Sequence, residues 1–268
     1  MKYFVKLKTR KEFKIILWIL VLQLFFIKSV VAQDEMEIMF NKALEDSKLG
    51  DCSSAIINWN NYLKYFPEDS AALSNKGNCL LVLGDVEGSI KEQTHSIELL
   101  PDNPDAYLNR GIAYEALKKW KEAEEDYSWI LERYPTNSSA LYNLANVKGS
   151  IGDWISAKDL YEKAFFSRPG FAMAASSRAL AEYQLGDIES AMSHLKSIIR
   201  KYPLFADARA ALTSLLYEEG AFGEAESNWA AVSELDIRYK DSSWLYDVRR
   251  WPPTPVKNLA SFLELKSL

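Results

Sequence analysis

Turn-forming, small and bulky residues recur along this chain at a fixed interval of 34 positions. Glycine falls at Gly50, Gly84, Gly152, Gly186 and Gly220, with Lys118 alone breaking the ladder, and proline falls at Pro67, Pro101, Pro135, Pro169 and Pro203. A period of this length belongs to stacked helical hairpins, each of which buries its apolar side only on its neighbours. Laid out in rows, residues 36–69, 70–103, 104–137, 138–171, 172–205 and 206–239 each predict a helix, a tight turn, a second helix and a proline stop. The sixth row has Ile237 where proline is expected, so the repeats are assigned to residues 33–236 and residues 237–268 to a C-terminal cap.

The columns within the rows have physical causes. Position 8 (Ala43, Gly77, Gly111, Ala145, Ala179, Thr213) and position 20 (Ala55, Ser89, Ala123, Ala157, Ala191, Ala225) are small, which lets paired helices approach closely. Position 24 is bulky (Trp59, Tyr127, Tyr161, Leu195, Trp229) and fills the space between hairpins, with Gln93 the outlier that predicts looser packing in the second row. The glycine at position 15 supplies left-handed backbone to end the first helix, and Asp51, Asp85, Asp153 and Asp187 then cap the second. Lys118-Lys119 replaces that pair, so the third turn is predicted to be strained or altered. Position 7 carries Lys42, Lys76, Arg110 and Arg178. Glu92 and Asp126, sixteen residues after Lys76 and Arg110, favour pairing across the hairpin over a basic strip for an acidic partner.

The two ends depart from the repeat. Lysines and Arg10 precede an apolar run from Ile15 to Ile27, and Val30-Val31-Ala32 ahead of Gln33 has the small-residue form of a cleavage site. Residues 1–32 are therefore expected to be a secretory signal peptide, the alternative being an uncleaved anchor, and the protein is expected in a periplasm or thylakoid lumen. That segment carries a net charge of +6; without it the formal −5 becomes −11, which disfavours nucleic acid. Near the other end, Trp244, Val248 and Trp251 are placed on one helical face. Thr254 and Pro255 then open a last helix with Val256, Leu259, Phe262 and Leu263. This segment is apolar enough to cap the array. The alternative is a docking surface in which Trp244, Arg249, Arg250 and Trp251 meet an anionic partner or lipid headgroups. Cys52 and Cys79 could form a bridge or stand as two buried thiols.

The agreement of glycine, alanine, aromatic and proline columns over residues 36 to about 236 resembles the tetratricopeptide repeat family. Stretches such as Ala106-Tyr107-Leu108-Asn109-Arg110-Gly111 are similar to its first helices, and the Arg-Arg-Trp-Pro-Pro tail resembles an exported group in cyanobacteria and plastids. The resemblance implies an all-α, right-handed superhelical solenoid of six hairpins with a C-terminal capping helix. It also implies a groove lined by the first helices that holds an extended peptide or partner protein, in assembly of a membrane, photosynthetic complex. At position 6 of that groove stand Asn41, Asn75, Asn109 and Asn143, with Asn78 and Asn146 at position 9 and Phe40, Leu108 and Tyr142 at position 5. A ladder of carboxamides can pair with peptide backbone whatever its side chains, whereas the plainer alternative is that each amide satisfies its own helix or solvent. Ser74, Ser139 and Asn143 replace the cations of the family's clamp for chaperone tails, which excludes that ligand.

Chemistry has little room. His95 and His194 stand far apart, no Gly-rich phosphate loop or nucleophile turn is present, and no cofactor or metal is implied. A non-enzymatic scaffold is thus expected, the alternatives being a self-associating structural module and a hydrolase using groove carboxylates. The oligomeric state is not legible.

Overall fold

The computed structural model describes residues 35–265 together with Leu17 and Trp18. The signal-peptide reading of residues 1–32 lies outside the described residues apart from those two. The described chain is helical, and none of its helices is long and apolar enough to cross a membrane. It divides into two compact units, the first ending at Asp102 and the second running from Asn103.

The first unit holds rows one and two: α1 (35–48), α2 (Cys52–Leu63), α3 (Ser70–Val82) and α4 (Val86–Leu99). The second holds rows three to six as four hairpins. These are α5 (Pro104–Ala116) with α6 (Trp120–Arg133), α7 (Ser138–Ser150) with α8 (Trp154–Ser167), α9 (Ala172–Gln184) with α10 (Ile188–Lys201), and α11 (Ala206–Glu218) with α12 (Phe222–Leu235). A 3-10 turn (Ile237–Lys240), α13 (Ser242–Asp247) and α14 (Pro253–Leu265) follow. Within each unit a helix packs on its hairpin partner and then on the first helix of the next row.

The punctuation behaves as its chemistry dictates. Gly50, Gly84, Gly152, Gly186 and Gly220 all have φ between 73° and 88°, the region where a Cβ is penalised. Asp51, Asp85, Asp153 and Asp187 accept the N–H groups of Ser54, Gly88, Ser156 and Ser190 at 2.9–3.2 Å. In the third row Lys118 takes the same left-handed backbone with φ 56°, and Lys119 offers no side-chain cap to α6. That turn is therefore regular in shape and strained in chemistry.

Position 8 is small because position 24 lies on it. A Cβ built on Gly111 would come within 2.5 Å of the Tyr127 ring, and one on Gly77 within 2.7 Å of the Gln93 amide nitrogen. Gln93 corrects the sequence reading of a loose second row: it is fully buried, its Oε1 accepts from Ser74 Oγ at 2.8 Å, and its Nε2 donates to Ser74 O and Asn78 Oδ1 at 2.9 and 3.0 Å. With its hydrogen bonds made, the buried amide leaves no polar group of its own unpaired. Ser89 Oγ, by contrast, is buried without a partner. The cross-hairpin pairs form, Lys76 with Glu92 at 2.9 Å and Arg110 with Asp126 through two hydrogen bonds of 3.0 and 2.7 Å. Cys52 and Cys79 are both free and buried, and burial together with the neighbouring thiol pushes Cys52 up to about 11.

Two changes to the third turn test this account. Lys118→Gly removes the left-handed strain and is expected to stabilise the protein by about 1 kcal/mol, net of an exposed ion pair of little worth. Lys119→Asp supplies the missing cap and is expected to add about 1 kcal/mol. Urea melts check both; a loss of stability in either variant contradicts the strain and capping assignment.

Candidate functional site

In rows four to six the first helices α7, α9 and α11 present a polar and aromatic face, and the chain after α12 folds back along it. Asp241 accepts the N–H groups of Ser243 and Trp244 and starts α13, which ends at Asp247. Trp244, Val248 and Trp251 therefore do not share one helical face: α13 stops short, Val248 is exposed and Arg250 takes φ 55°. The last helix also begins earlier than Thr254, at Pro253, whose missing N–H suits a first turn. The Thr254 N–H is instead held by Gln184 Oε1 at 2.8 Å.

The anchor of this return is Asp207, at position 2 of the sixth row and 1 % exposed. Its Oδ2 accepts from Ser176 Oγ at 2.6 Å. Its Oδ1 accepts from Tyr239 Oη at 2.9 Å, Arg249 Nη2 at 2.6 Å and Nε at 3.0 Å, and Trp251 Nε1 at 3.1 Å. Burial alone would raise this carboxyl, but the Arg249 guanidinium and the hydroxyl donors outweigh it and hold Asp207 below its ordinary value. Arg249 is in turn held above its own, and it also touches Met173 and Tyr142. Further along, Ser214 Oγ donates to Pro255 O at 2.7 Å and Asn258 Nδ2 to Tyr183 Oη at 2.8 Å. Leu245, Trp251, Val256, Leu259 and Phe262 are buried in one core with α9, α11 and α12.

Of the four residues assigned to a docking or cap surface, Arg249 and Trp251 are thus taken up by the protein's interior. Trp244 is half-buried against Tyr239 with Arg238 over its ring, and Arg250 is half-buried over Trp120. The tail contacts positions 2, 5, 9, 12 and 13 of the first helices, through Met173 and Asp207, Tyr142, Ser214, Tyr183 and Gln184.

The amide positions divide. In the first unit Asn41 is exposed beside half-buried Phe40, Asn75 Nδ2 donates to Ala71 O of its own helix at 2.9 Å, and Asn78 Oδ1 is spent on Gln93. In the second unit Leu108 and Asn109 are half-buried, Asn143 hydrogen-bonds the Tyr127 hydroxyl, and Asn146 Oδ1 accepts from Tyr161 Oη at 2.8 Å. Position 9 is thus paired with a polar tip at position 24, fifteen residues on, in both rows where it is asparagine. That spacing was available in the sequence. Sequence reasoning does not reach Asp207 or Glu115: Glu115 is the one acid in its column, but Asp207 shares its column with Glu37 and Asp105 and so carries no signal.

Glu115 is buried in α5 and accepts from Tyr127 Oη at 2.6 Å. Burial pushes its carboxyl up to about 7, against the Tyr127 hydrogen bond and the nearby Arg250 charge. No group of three or more His, Cys, Asp or Glu side chains suited to a metal occurs among the described residues.

The tetratricopeptide repeat pattern matches residues 104–137 in one form and 40–93, 142–204 and 178–236 in another. The second form alone spans more than half the chain, which belongs to the tetratricopeptide repeat family. Among curated proteins no sequence matches it. Of solved structures, a tetratricopeptide repeat protein from Parabacteroides merdae is 17 % identical with a TM-score of 0.63, covering 85 % of this chain and 98 % of that one. MamA is 23 % identical with a TM-score of 0.54, over 62 % of this chain and 91 % of that one. YrrB, described as a TPR protein with an unusual peptide-binding site, is 17 % identical with a TM-score of 0.53, over 67 % and 92 %. At these identities the likeness is one of fold.

Two measurements test the site. Asp207→Asn leaves Arg249 buried without its counter-charge and is expected to cost about 3–5 kcal/mol, with a red shift of tryptophan emission as Trp251 is released. Glu115 has a folded value above its unfolded one, so the stability its neutral form contributes is full below about pH 4.5 and lost as pH rises through about 7. Relative to the parent, Glu115→Gln is therefore expected to gain stability between pH 4.5 and 8, on the order of 3 kcal/mol. Melts at the two pH values check the sign.

Proposed function

We propose that this chain is a non-catalytic, exported scaffold that holds an extended peptide or a partner protein on the face of its first helices, in service of assembling a membrane complex. The observation that carries the reading lies inside the molecule. In rows four to six that face already holds an irregular segment, residues 248–252 and the start of α14, by means a peptide ligand would use. A serine hydroxyl donates to its backbone carbonyl, a glutamine accepts its N–H, and an acid takes its arginine and indole.

The first unit offers the same helix positions without such a strap among the described residues, with Asn41 exposed and Asn75 keeping its carbonyl oxygen. The fold supports a protein-interaction role, as does the peptide-binding site for which YrrB is described. Export rests on the basic and apolar N-terminal segment, and a membrane complex on the likeness of the tail to exported repeat proteins.

The test is photocrosslinking in the native membranes, with benzoylphenylalanine at Asn41 or Asn75 on first helices and at exposed Lys91 on α4 as the comparison. A discrete partner is expected from the first two positions. Crosslinking from Lys91 alone overturns the first-helix assignment.

A further inference from the structure

Among the described residues only two that are not glycine adopt left-handed backbone, Lys118 with φ 56° and Arg250 with φ 55°. They lie 132 positions apart in sequence. Both are cations, and both line the same cavity of about 380 Å³ in the second unit. Such backbone is unfavourable for any residue with a Cβ and persists where the surroundings impose it, often at sites of function.

The cavity's walls are aromatic. Trp120 and Trp154, each the first residue of its helix, meet Trp251 and Tyr246 from the tail. Gly149 makes room for one of them: a Cβ there would fall 2.6 Å from the Trp154 ring. Arg250 sits with its guanidinium carbon 5.1 Å from the Trp120 ring centre. The buried Glu115 carboxyl is near enough to feel its charge, but no hydrogen bond or ion pair ties down the guanidinium among the described residues. Its N–H fork is therefore free to receive a planar acid. Lys118 reaches Asp247 at 3.1 Å, but both side chains are more than half exposed, so that pair is weak and exchangeable. Among the lining residues two cations, Lys118 and Arg250, stand against one carboxylate, Asp247.

We propose that this cavity binds a small aromatic carboxylate, its carboxylate on Arg250 and Lys118 and its ring against the indole wall. The volume suits one ring or one terminal residue. The same chemistry could arrive as a free aromatic acid or as the carboxyl end of a peptide whose last residue is aromatic. This site borders the first-helix face through Gly149 and Ser150 of α7, and its proposal does not depend on the scaffold reading.

The experiment is calorimetric titration of the full chain with phenylacetate, phenylacetamide and N-acetylglycylphenylalanine. Saturable binding of phenylacetate is expected, with the neutral amide weaker by about tenfold or more. Arg250→Gln is expected to weaken phenylacetate by about tenfold, and Lys118→Gly, which relieves strain and so keeps the fold, by a few-fold. Tighter binding of the dipeptide than of phenylacetate supports a peptide end as the source, and the reverse a free acid. Equal binding of acid and amide, binding unchanged in folded Arg250→Gln, or no saturation with either carboxylate up to about 10 mM overturns the proposal.

Discussion

The second unit depends on a single buried carboxylate. Asp207 is enclosed on every side, and a charge in that position is tolerable only because five hydrogen bonds from four side chains converge on its two oxygens. Three of those side chains, Tyr239, Arg249 and Trp251, come from beyond the last hairpin. The knot therefore sets the path of the tail: it ends α13 early, bends the backbone at Arg250, seats Trp251 in the core and delivers Pro253 to the face of α9 and α11. Apolar burial of Leu259 and Phe262 supplies much of the remaining driving force, but it carries no register. The polar knot does.

The same logic, polar groups satisfied across a hairpin, runs through the rows. Gln93 with Asn78 and Tyr161 with Asn146 join position 24 to position 9, and Lys76 with Glu92 and Arg110 with Asp126 join position 7 to position 23. Each pair links a first helix to its own second helix, so a hairpin is stitched internally before it meets its neighbour. Amides placed on the first helices thus serve the hairpin as well as the surface: in the second unit Asn146 is engaged in this way, while Asn143 reaches Tyr127 of the preceding hairpin.

Much of the fold could be read from residues alone because its determinants are local. A glycine that must be left-handed, an aspartate that must cap and a small residue under a large one are each decided within a few positions or one hairpin, and all recur in phase. Gln93 reads as a misfit by side-chain class alone, because what satisfies it, Asn78, stands fifteen residues earlier. The tail was harder. Its apolar content announced a cap, yet nothing periodic links Arg249 to Asp207 or Asp247 to Lys118, and the partner of a buried ion pair so far along the chain is set by three-dimensional packing. For the same reason the cavity between Trp120, Trp154 and Arg250 was visible in sequence only as a broken glycine ladder.

The return of the tail has a consequence for how the molecule is made. A repeat array with nearest-neighbour contacts alone can form row by row as it leaves the ribosome or translocon. Here the contacts between Arg249 and Asp207 and between Asn258 and Tyr183 span 42 and 75 positions, so the second unit completes its interior only when residues 239–258 have emerged. Until then Asp207 is a carboxylate without its arginine, and the α9–α11 face stands uncovered. A chain cut before Tyr239 would accordingly lose more than α13 and α14, since residues 239–258 also lock the preceding rows together.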